Sequence, residues 1–260
     1  MAYQTLKLEY DGPIGTITLN RPEKRNAISP QMIDDLLAAL AELETSGARI
    51  GILTGAGKAY CAGMDLEVLR TISSQSPAEN LEASRRMAQL LRRMWGFPKV
   101  LIAAVNGPAL AGGCALATLA DFTLAVPEAT FGYTEVRIGF VPAIVSVFLR
   151  RRVGETVARD LILTGRIFPA PEAQRLGLVN EVVAADALMG RARMLAETLL
   201  ANSPASLRAS KKLLVESEEP AIDREISLAI EANAAVRATP DFKEGVTAFF
   251  EKRKPRWSAD

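Results

Sequence analysis

Short segments with regularly spaced apolar residues follow one another along most of the chain. Residues 5–10 and 14–19 alternate in polarity around Asp11-Gly12-Pro13, which predicts a β-hairpin. Apolar runs predict further buried strands at 49–54, 100–105 and 122–126. Because helical segments separate these strands, the first part of the chain is predicted to form an α/β fold.

Helical spacing of apolar residues begins after Ser29. A serine followed by Pro30 is typical of a helix start, and Ile33, Leu36 and Leu40 then fall on one helical face. Further helices are predicted at 81–95, 112–120, 187–201, 205–215, 222–238 and 242–252, with Asp186 as the N-cap of the helix at 187–201. Since helical signals dominate after residue 155, we expect a core at 1–195 and a separate helical region at 196–260.

Composition narrows the class of protein. The chain has 260 residues, enough to bury a sizeable core, and 31 basic against 30 acidic residues leave a net charge of +1. We therefore expect no binding to nucleic acid or to anionic membranes. The two cysteines indicate a reducing compartment. The N-terminus lacks the pattern of a signal peptide, and Asn106, Gly107 and Pro108 interrupt the most apolar stretch, so we expect a cytoplasmic protein.

The sequence contains no histidine. This excludes Ser-His-Asp and Cys-His nucleophile systems and histidine-ligated zinc. Proton transfer near neutral pH is therefore left to a carboxylate, tyrosine, lysine, cysteine or water. Cys61 and Cys114 are interpreted as buried space-fillers, because no histidine is available to activate them.

Two glycine-containing turns follow predicted strands, at 55–66 and 103–116. A helix that begins near Gly112 has N–H groups without partners inside the helix. Two such N–H groups that converge on one point would bind a developing oxyanion. The alternative is that both turns are needed only for packing.

Several longer motifs follow in a fixed order. They are 20–27 (Asn-Arg-Pro-Glu-Lys-Arg-Asn-Ala), 62–66 (Ala-Gly-Met-Asp-Leu), Asn106-Gly107 with 112–114 (Gly-Gly-Cys), 131–142 with Phe131-Gly132 and Glu135, 163–166 (Leu-Thr-Gly-Arg) and 249–255 (Phe-Phe-Glu-Lys-Arg-Lys-Pro). In this order they resemble the crotonase superfamily, the enoyl-CoA hydratase/isomerase family. The resemblance implies a ββα spiral core, a C-terminal helical region for oligomerisation, and a homotrimer or dimer of trimers.

The resemblance also implies roles for individual residues. The backbone N–H groups of Met64 and Gly112 would bind the thioester oxygen, and Glu135 would be the acid/base. The residues expected along coenzyme A are Lys24, Ala27, Ala62, Asp65 and Leu66, with Phe249 and Lys252 completing the pocket of a neighbouring subunit. An acyl-CoA thioester would be the substrate, with no cofactor besides the coenzyme A that it carries and no metal.

Two alternatives come from the residues themselves. The segment at 131–140 is apolar enough to desolvate the Glu135 carboxylate and raise its pKa, which favours an acid/base role. The alternative is that Glu135 forms a surface pair with Arg137, because most glutamates are exposed. Lys252 could belong to a solvated charged face formed with Glu251, Arg253 and Lys254. The small and aliphatic residues at 143–145 suggest an apolar acyl pocket.

The chain departs from the family pattern at two positions. Family hydratases have a second glutamate directly after the Gly-Gly-Cys cysteine, and here that residue is Ala115; Ala143 occupies a third carboxylate position. A single carboxylate suits a shift of the double bond better than efficient hydration, because addition of water needs both a base and an acid. The alternative function is an acyl-CoA binding protein of the same fold without catalytic activity.

Overall fold

The computed structural model describes residues 3–72 and 74–258. The strands within these ranges are β1 (Leu6–Asp11), β2 (Ile14–Leu19), β3 (Ile50–Gly55), β4 (Val100–Val105), β5 (Ala109–Leu110), β6 (Phe122–Ala125), β7 (Thr130–Gly132), β8 (Phe168–Pro169) and β9 (Glu181–Val182). The helices are α1 (Pro30–Thr45), α2 (Leu66–Ile72), α3 (Pro77–Trp95), α4 (Gly112–Thr118), α5 (Ala143–Val153), α6 (Glu155–Thr164), α7 (Ala170–Arg175), α8 (Leu188–Leu200), α9 (Pro204–Glu216), α10 (Glu219–Val236) and α11 (Pro240–Glu251). Short 3₁₀ turns lie at Pro22–Lys24 and Glu135–Ile138.

The strands form a larger and a smaller sheet. The order in the larger sheet is β1-β2-β3-β4-β6-β9, and only the β1–β2 hairpin is antiparallel. The smaller sheet has the order β5-β7-β8. Every residue of β4 is buried, as expected for a central parallel strand that has both faces covered. The predicted mixed α/β architecture is confirmed.

The C-terminal helices pack against the rest of the chain. Helix α10 lies against α3 and α5, while α11 lies against the 3₁₀ turn Glu135–Ile138. Position 195, where the sequence placed a boundary, lies inside α8, so the division of the chain there stays a prediction. Among the described residues, no helix is both long and apolar enough to cross a bilayer.

Helix starts show where sequence signals were sufficient. The predicted start of α1 is confirmed, because Ser29 Oγ accepts a hydrogen bond from Met32 N at 3.2 Å. Helix α3 starts at Pro77 rather than 81, because Ser76 and Glu79 form a capping box. The Asp186 cap is wrong: α8 begins one residue later, with Ala187 at the N-cap position and no side-chain cap. Helices α2 and α5 were not predicted, and α6 and α7 were covered only by the general helical signal after residue 155.

This difference in capping leads to a matched pair of stability predictions. Ser29→Ala should lower the free energy of unfolding by about 1 kcal/mol, because it removes the acceptor for an N–H of the first turn. Asp186→Ala should change it by less than about 0.5 kcal/mol, since this exposed residue caps nothing. Urea denaturation of both variants measures the difference; equal losses would contradict the assignment of the caps.

Candidate active site

Parallel pairing of short segments brings the predicted site residues to one edge of the fold. Cys61 bridges to Ala109, and Ala109 pairs in turn with Phe131. Met64, Gly112 and Glu135 follow Cys61, Ala109 and Phe131 by three, three and four positions. Because all three segments run in the same direction, these residues lie on the same side of the pairing. Residues so placed lie within about 10 to 14 Å of the pairing line. The local pairing therefore collects all three candidate catalytic residues at the same edge.

Met64 has a backbone N–H group that the surrounding structure leaves without an acceptor. Its bridge to Ile28 uses the neighbouring groups instead: Ile28 N donates to Gly63 O at 2.7 Å, and Asp65 N donates to Ile28 O at 2.9 Å. In such a parallel bridge, the N–H of the central residue is directed away from its partner. Within the described part of the chain, Met64 N has no hydrogen-bond acceptor, so it is free to bind a ligand atom.

Gly112 is the first residue of α4, so its N–H group also lacks a partner within the helix. The preceding residue, Ala111, has φ 48° and ψ −121°, a backbone conformation that residues other than glycine rarely adopt. Two hydrogen bonds stabilise it, from Ala111 N to Gly132 O at 2.7 Å and from Ala115 N to Ala111 O at 3.0 Å. The strained residue thus sets the direction of the peptide group that carries Gly112 N.

The segments that carry these two N–H groups are in direct contact. A Cβ atom added to Gly63 would lie 3.0 Å from Leu110 O and 3.1 Å from Ala111 Cβ. One added to Gly113 would lie 2.1 Å from Cys61 O, which no real side chain can do. Gly63 and Gly113 are therefore required for the close approach of two backbones. This packing role agrees with the alternative interpretation of the turns and does not exclude a role of their N–H groups in binding. Whether both N–H groups converge on one oxygen stays a prediction.

Glu135 opens the 3₁₀ turn, and its carboxylate is withdrawn from water. Its Oε2 atom is buried without a hydrogen-bond partner among the described residues. Burial raises the pKa of Glu135 to about 7, because desolvation disfavours the charged form. Arg137 is exposed and forms no ion pair with it in the described structure. The surface-pair alternative is therefore not supported, and a carboxylate that titrates near neutral pH remains.

Other polar groups near Glu135 have structural partners. The hydroxyl groups of Tyr133 and Thr118 are hydrogen-bonded at 2.6 Å, and Ser146 Oγ donates to Ala143 O at 2.6 Å. Burial raises the pKa of Cys61 and of Cys114 to about 12, so both remain thiols at neutral pH. Among the described residues, no cluster of acidic or cysteine side chains could hold a metal ion. Glu135 is thus the titrating group at this edge.

Most of the residues predicted for coenzyme A lie around the 3₁₀ turn Pro22–Lys24 and the start of α2. Lys24 Nζ pairs with Glu67, while Ala62 N donates to Arg25 O at 3.0 Å, two residues before Ala27. Asp65 is buried and pairs with Arg21 at 2.7 Å, so its carboxylate is already occupied. Leu66 is exposed. These residues lie together next to Met64, with Ala27 and Asp65 buried, and their contact with coenzyme A stays a prediction.

The sequence motif gave Asn26 no role, and the structure gives it one. Asn26 has φ 55°, and its side chain accepts from Arg21 N at 2.9 Å and donates to Ala56 O and Ala59 O at 2.9 and 2.8 Å. It joins the loop at 20–27 to the turn after β3. A possible signal was the residue type, since asparagine tolerates left-handed backbone and bonds to nearby backbone groups.

The two predicted C-terminal residues lie at the end of α11. Phe249 is 48% exposed and contacts Phe250 edge-on, with ring centroids 5.5 Å apart. Lys252 follows the helix in left-handed conformation and is exposed, so both of its interpretations stay open. Phe250 lies under Arg70 of α2, at 4.4 Å from its guanidinium carbon. Within one chain, α11 therefore packs beside the helix that carries Leu66.

A small apolar cluster lies beside the candidate site, separate from the main core. Its members, here called the satellite cluster, are the buried residues Leu69, Ile72, Phe242 and Val246, with Met64, Val68, Ile138, Phe140 and Phe250 packed against them. By contrast, the residues at 143–145 belong to the main core. Met64 and Ile138 of the Glu135 turn therefore pack in the satellite cluster, while an acyl pocket at 143–145 stays a prediction.

Comparison with known proteins decides the family. A model of the enoyl-CoA hydratase/isomerase family matches residues 9–260. The chain belongs to this family. A Thermus thermophilus protein provisionally named an enoyl-CoA hydratase is 47% identical over 95% of this chain and 98% of its own length. The crotonyl-CoA hydratase of Syntrophomonas wolfei is 35% identical over 98% of each chain.

Solved structures of the family share the whole fold. The crystal structure of an enoyl-CoA hydratase/isomerase from Xanthobacter autotrophicus Py2 matches with a TM-score of 0.89 at 31% identity, over 99% of this chain and all of its own. This confirms both the predicted membership of the crotonase superfamily and its fold. The C-terminal helices are present as expected, while their role in oligomerisation stays a prediction.

Close approach at Gly63 generates the next prediction. Gly63→Ala should lower the free energy of unfolding by about 1 to 3 kcal/mol, because φ is +92° and the new Cβ would contact Leu110 O and Ala111 Cβ. Gly190→Ala is the control: it lies within α8 with nothing within 4 Å and should be neutral or stabilising. Thermal unfolding distinguishes them, and a Gly63 variant as stable as the control would disprove the requirement.

Proposed function

We propose that this family member is an enzyme that acts on enoyl-CoA thioesters, with Glu135 as its only carboxylate for proton transfer. The observation that carries the proposal is the Glu135 carboxyl, whose Oε2 atom is buried without a partner among the described residues and whose pKa is raised to about 7 by burial. It lies at the same edge as two free N–H groups. One is that of Gly112 at the start of α4, and the other is that of Met64, two residues before α2. A base with such a pKa is half ionised near neutral pH, where proton transfer in both directions is efficient.

The two N–H groups would stabilise the charge that develops during the reaction. Removing a proton from the carbon next to a thioester carbonyl places negative charge on the carbonyl oxygen as an enolate. Hydrogen bonds from Met64 N and Gly112 N to that oxygen lower the energy of the enolate, because the donors are already oriented. Glu135 takes the proton from Cα of a 3-enoyl ester and returns it at Cγ, which moves the double bond into conjugation.

The surface around the loop at 20–27 is the proposed site for coenzyme A. Lys24 supplies a positive charge there, and the backbone at Ala27 and Ala62 with the exposed Leu66 provides contact surface beside Met64. Phe249 and Lys252 would complete the site in a neighbouring subunit of a trimer or a dimer of trimers. Their exposure at the end of α11 in a single chain supports this role, because exposed aromatic side chains are common at interfaces.

The number of carboxylates favours double-bond isomerisation over efficient hydration. Ala115 and Ala143 replace the other carboxylates of the family pattern, and both are buried apolar residues here. Addition of water needs a base for the water and an acid for Cα, and losing one such group costs about 10²–10⁴ in rate. Hydration is the second candidate reaction, because the Syntrophomonas wolfei relative is named a crotonyl-CoA hydratase.

A direct assay separates these reactions from simple binding. Purified protein is incubated with crotonyl-CoA and, separately, with a 3-enoyl-CoA ester, and the absorbance of the conjugated thioester is followed. Gain of absorbance with the 3-enoyl ester is the expected result and indicates isomerisation. Loss with crotonyl-CoA indicates hydration. Binding of both esters without a change in absorbance would replace the proposed enzyme by an acyl-CoA binding protein.

Replacing the proposed acid/base gives the main mutational test. Glu135→Gln should lower kcat by at least about 10²-fold and leave the Kd for acyl-CoA esters within a few-fold of the parent value, because only proton transfer is removed. Glu128→Gln, at an exposed position just before β7, is the control and should retain full activity. Unchanged turnover in the Glu135 variant would refute its role.

The pKa of Glu135 also predicts how activity and stability depend on pH. Since the base must be ionised, kcat/KM should rise with pH and level off above about 7. The folded state retains the Glu135 proton more tightly than the unfolded state, whose pKa is near 4.5. Stability is therefore lost as pH rises from about 4.5 to about 7.

A stability profile tests this sign without any substrate. Glutamine cannot ionise, so Glu135→Gln should unfold at a higher temperature than the parent protein at pH 8, while the difference should be smallest near pH 4.5. Thermal unfolding across this range measures it. A constant difference between the two proteins at all pH values would contradict the raised pKa.

A further inference from the structure

A cavity of about 450 Å³ lies between the start of α3, the end of α10 and the start of α11. Its size is in the range of small-molecule binding sites. Gln75, Asn80 and Arg237 contribute polar groups to its lining, and the exposed residues Glu231 and Lys243 carry opposite charges at its rim. None of these residues has a role in the proposed reaction.

Arg237 is the unusual group in this cavity. It is only 6% exposed, and its one protein acceptor is Asn233 Oδ1, at 3.2 Å from Nη2. Its Nε atom is buried without a hydrogen-bond partner, and no carboxylate in the described part of the chain pairs with it. Burial alone lowers its pKa to about 10, so it remains charged at neutral pH. A buried cation without a negatively charged partner is costly unless a ligand supplies the negative charge.

The surroundings of Arg237 also favour an anion. Gln75 and Asn80 line the same cavity, and their side-chain oxygens are buried without partners among the described residues. Rotation of either amide would exchange this oxygen for an NH₂ donor, which for Asn80 replaces the 3.5 Å bond from Nδ2 to Gln75 O. Helices α3 and α11, of 19 and 12 residues, both begin at the cavity, and the N-terminal end of a helix favours negative charge. Two helix starts, a buried arginine and available amides therefore surround the same space.

The cavity is connected to the candidate active site through Phe140. The guanidinium carbon of Arg237 lies 5.4 Å from the centre of the Phe140 ring. On the other side, Phe140 N donates to Glu135 O at 3.0 Å, and Phe140 packs in the satellite cluster together with Met64. Phe140 therefore contacts both the apolar cluster against which Met64 packs and Arg237, which lines the cavity.

We propose that the cavity binds a carboxylate group, with Arg237 as its main partner and the amides of Gln75 and Asn80 as additional donors. The two sources of such a group are the far end of an acyl chain and a free carboxylate. The satellite cluster favours the first source, which would make acyl-CoA esters with a terminal carboxylate the preferred substrates; that part rests on the proposed function.

The test compares substrates that differ only at the far end. Enoyl-CoA esters of several chain lengths are each paired with the ester in which a carboxylate replaces the terminal methyl group. Arg237→Met should lower kcat/KM for the carboxylate esters by at least about tenfold and leave the methyl-ended esters nearly unchanged, because it removes a charge-assisted bond. Arg237→Lys should retain part of the preference. Arg152→Met, at a partly buried arginine outside the cavity, should retain all of it.

A second measurement identifies a free carboxylate and is independent of turnover. Glutarate should raise the unfolding temperature of the parent protein, and not that of Arg237→Met, if the cavity binds free carboxylates. A glutarate effect without any substrate preference would assign the cavity to a free ligand. Absence of turnover on every ester would refute the proposed function but not the carboxylate site. The glutarate measurement would then decide whether the cavity binds a carboxylate. The proposal would be overturned if the protein showed no preference for carboxylate esters and no glutarate effect that depends on Arg237.

Discussion

Lateral pairing of short parallel segments is the constraint on which the candidate site depends. The bridge from Cys61 to Ala109 and the pairing of Ala109 with Phe131 fix three loops in register. Each of these loops carries one of the predicted catalytic groups a few residues further on. A shift of one residue in either pairing would turn the peptide groups over and remove the free N–H groups from the shared edge.

This register is possible only because side chains are missing at the points of contact. Gly63 and Gly113 let two backbones approach so closely that an added Cβ would overlap its neighbours. Between them, Ala111 adopts a strained backbone conformation, which two backbone hydrogen bonds maintain. Strain of this kind persists where the surrounding structure determines the conformation, and such positions are common at functional sites.

The same region contains two buried ionisable groups that have no charged partner among the described residues. Glu135 and Arg237 lie on either side of Phe140, and burial shifts the pKa of each toward its neutral form. Both groups reduce the stability of the protein without a ligand, and the extensive main core offsets their cost. In the roles proposed for them, Glu135 would move a proton near the thioester and Arg237 would bind a carboxylate at the far end of the acyl chain.

The sequence by itself determined the local features of this protein. The hairpin, the buried strands, the cap at Ser29 and the absence of histidine depend on residue type and short spacing. The ordered motifs also led to the correct family. The start of α3 and the missing Asp186 cap show the limit of such signals, because several residues near a helix start can serve as its cap and local spacing does not choose between them.

Only the tertiary structure decided what depends on contacts between distant parts of the chain. The apolar residues at 131–140 predicted that Glu135 is desolvated, but they left a surface pair with Arg137 open, and only the packed neighbours that exclude water decide between the two. Asn26 acquires its role because it reaches carbonyl groups 30 and 33 residues further along the chain. Arg237 looks like one more charge on a C-terminal helix until α3 and α11 close around it. Burial and long-range pairing are properties of the packed molecule, since they arise from residues that the sequence places far apart.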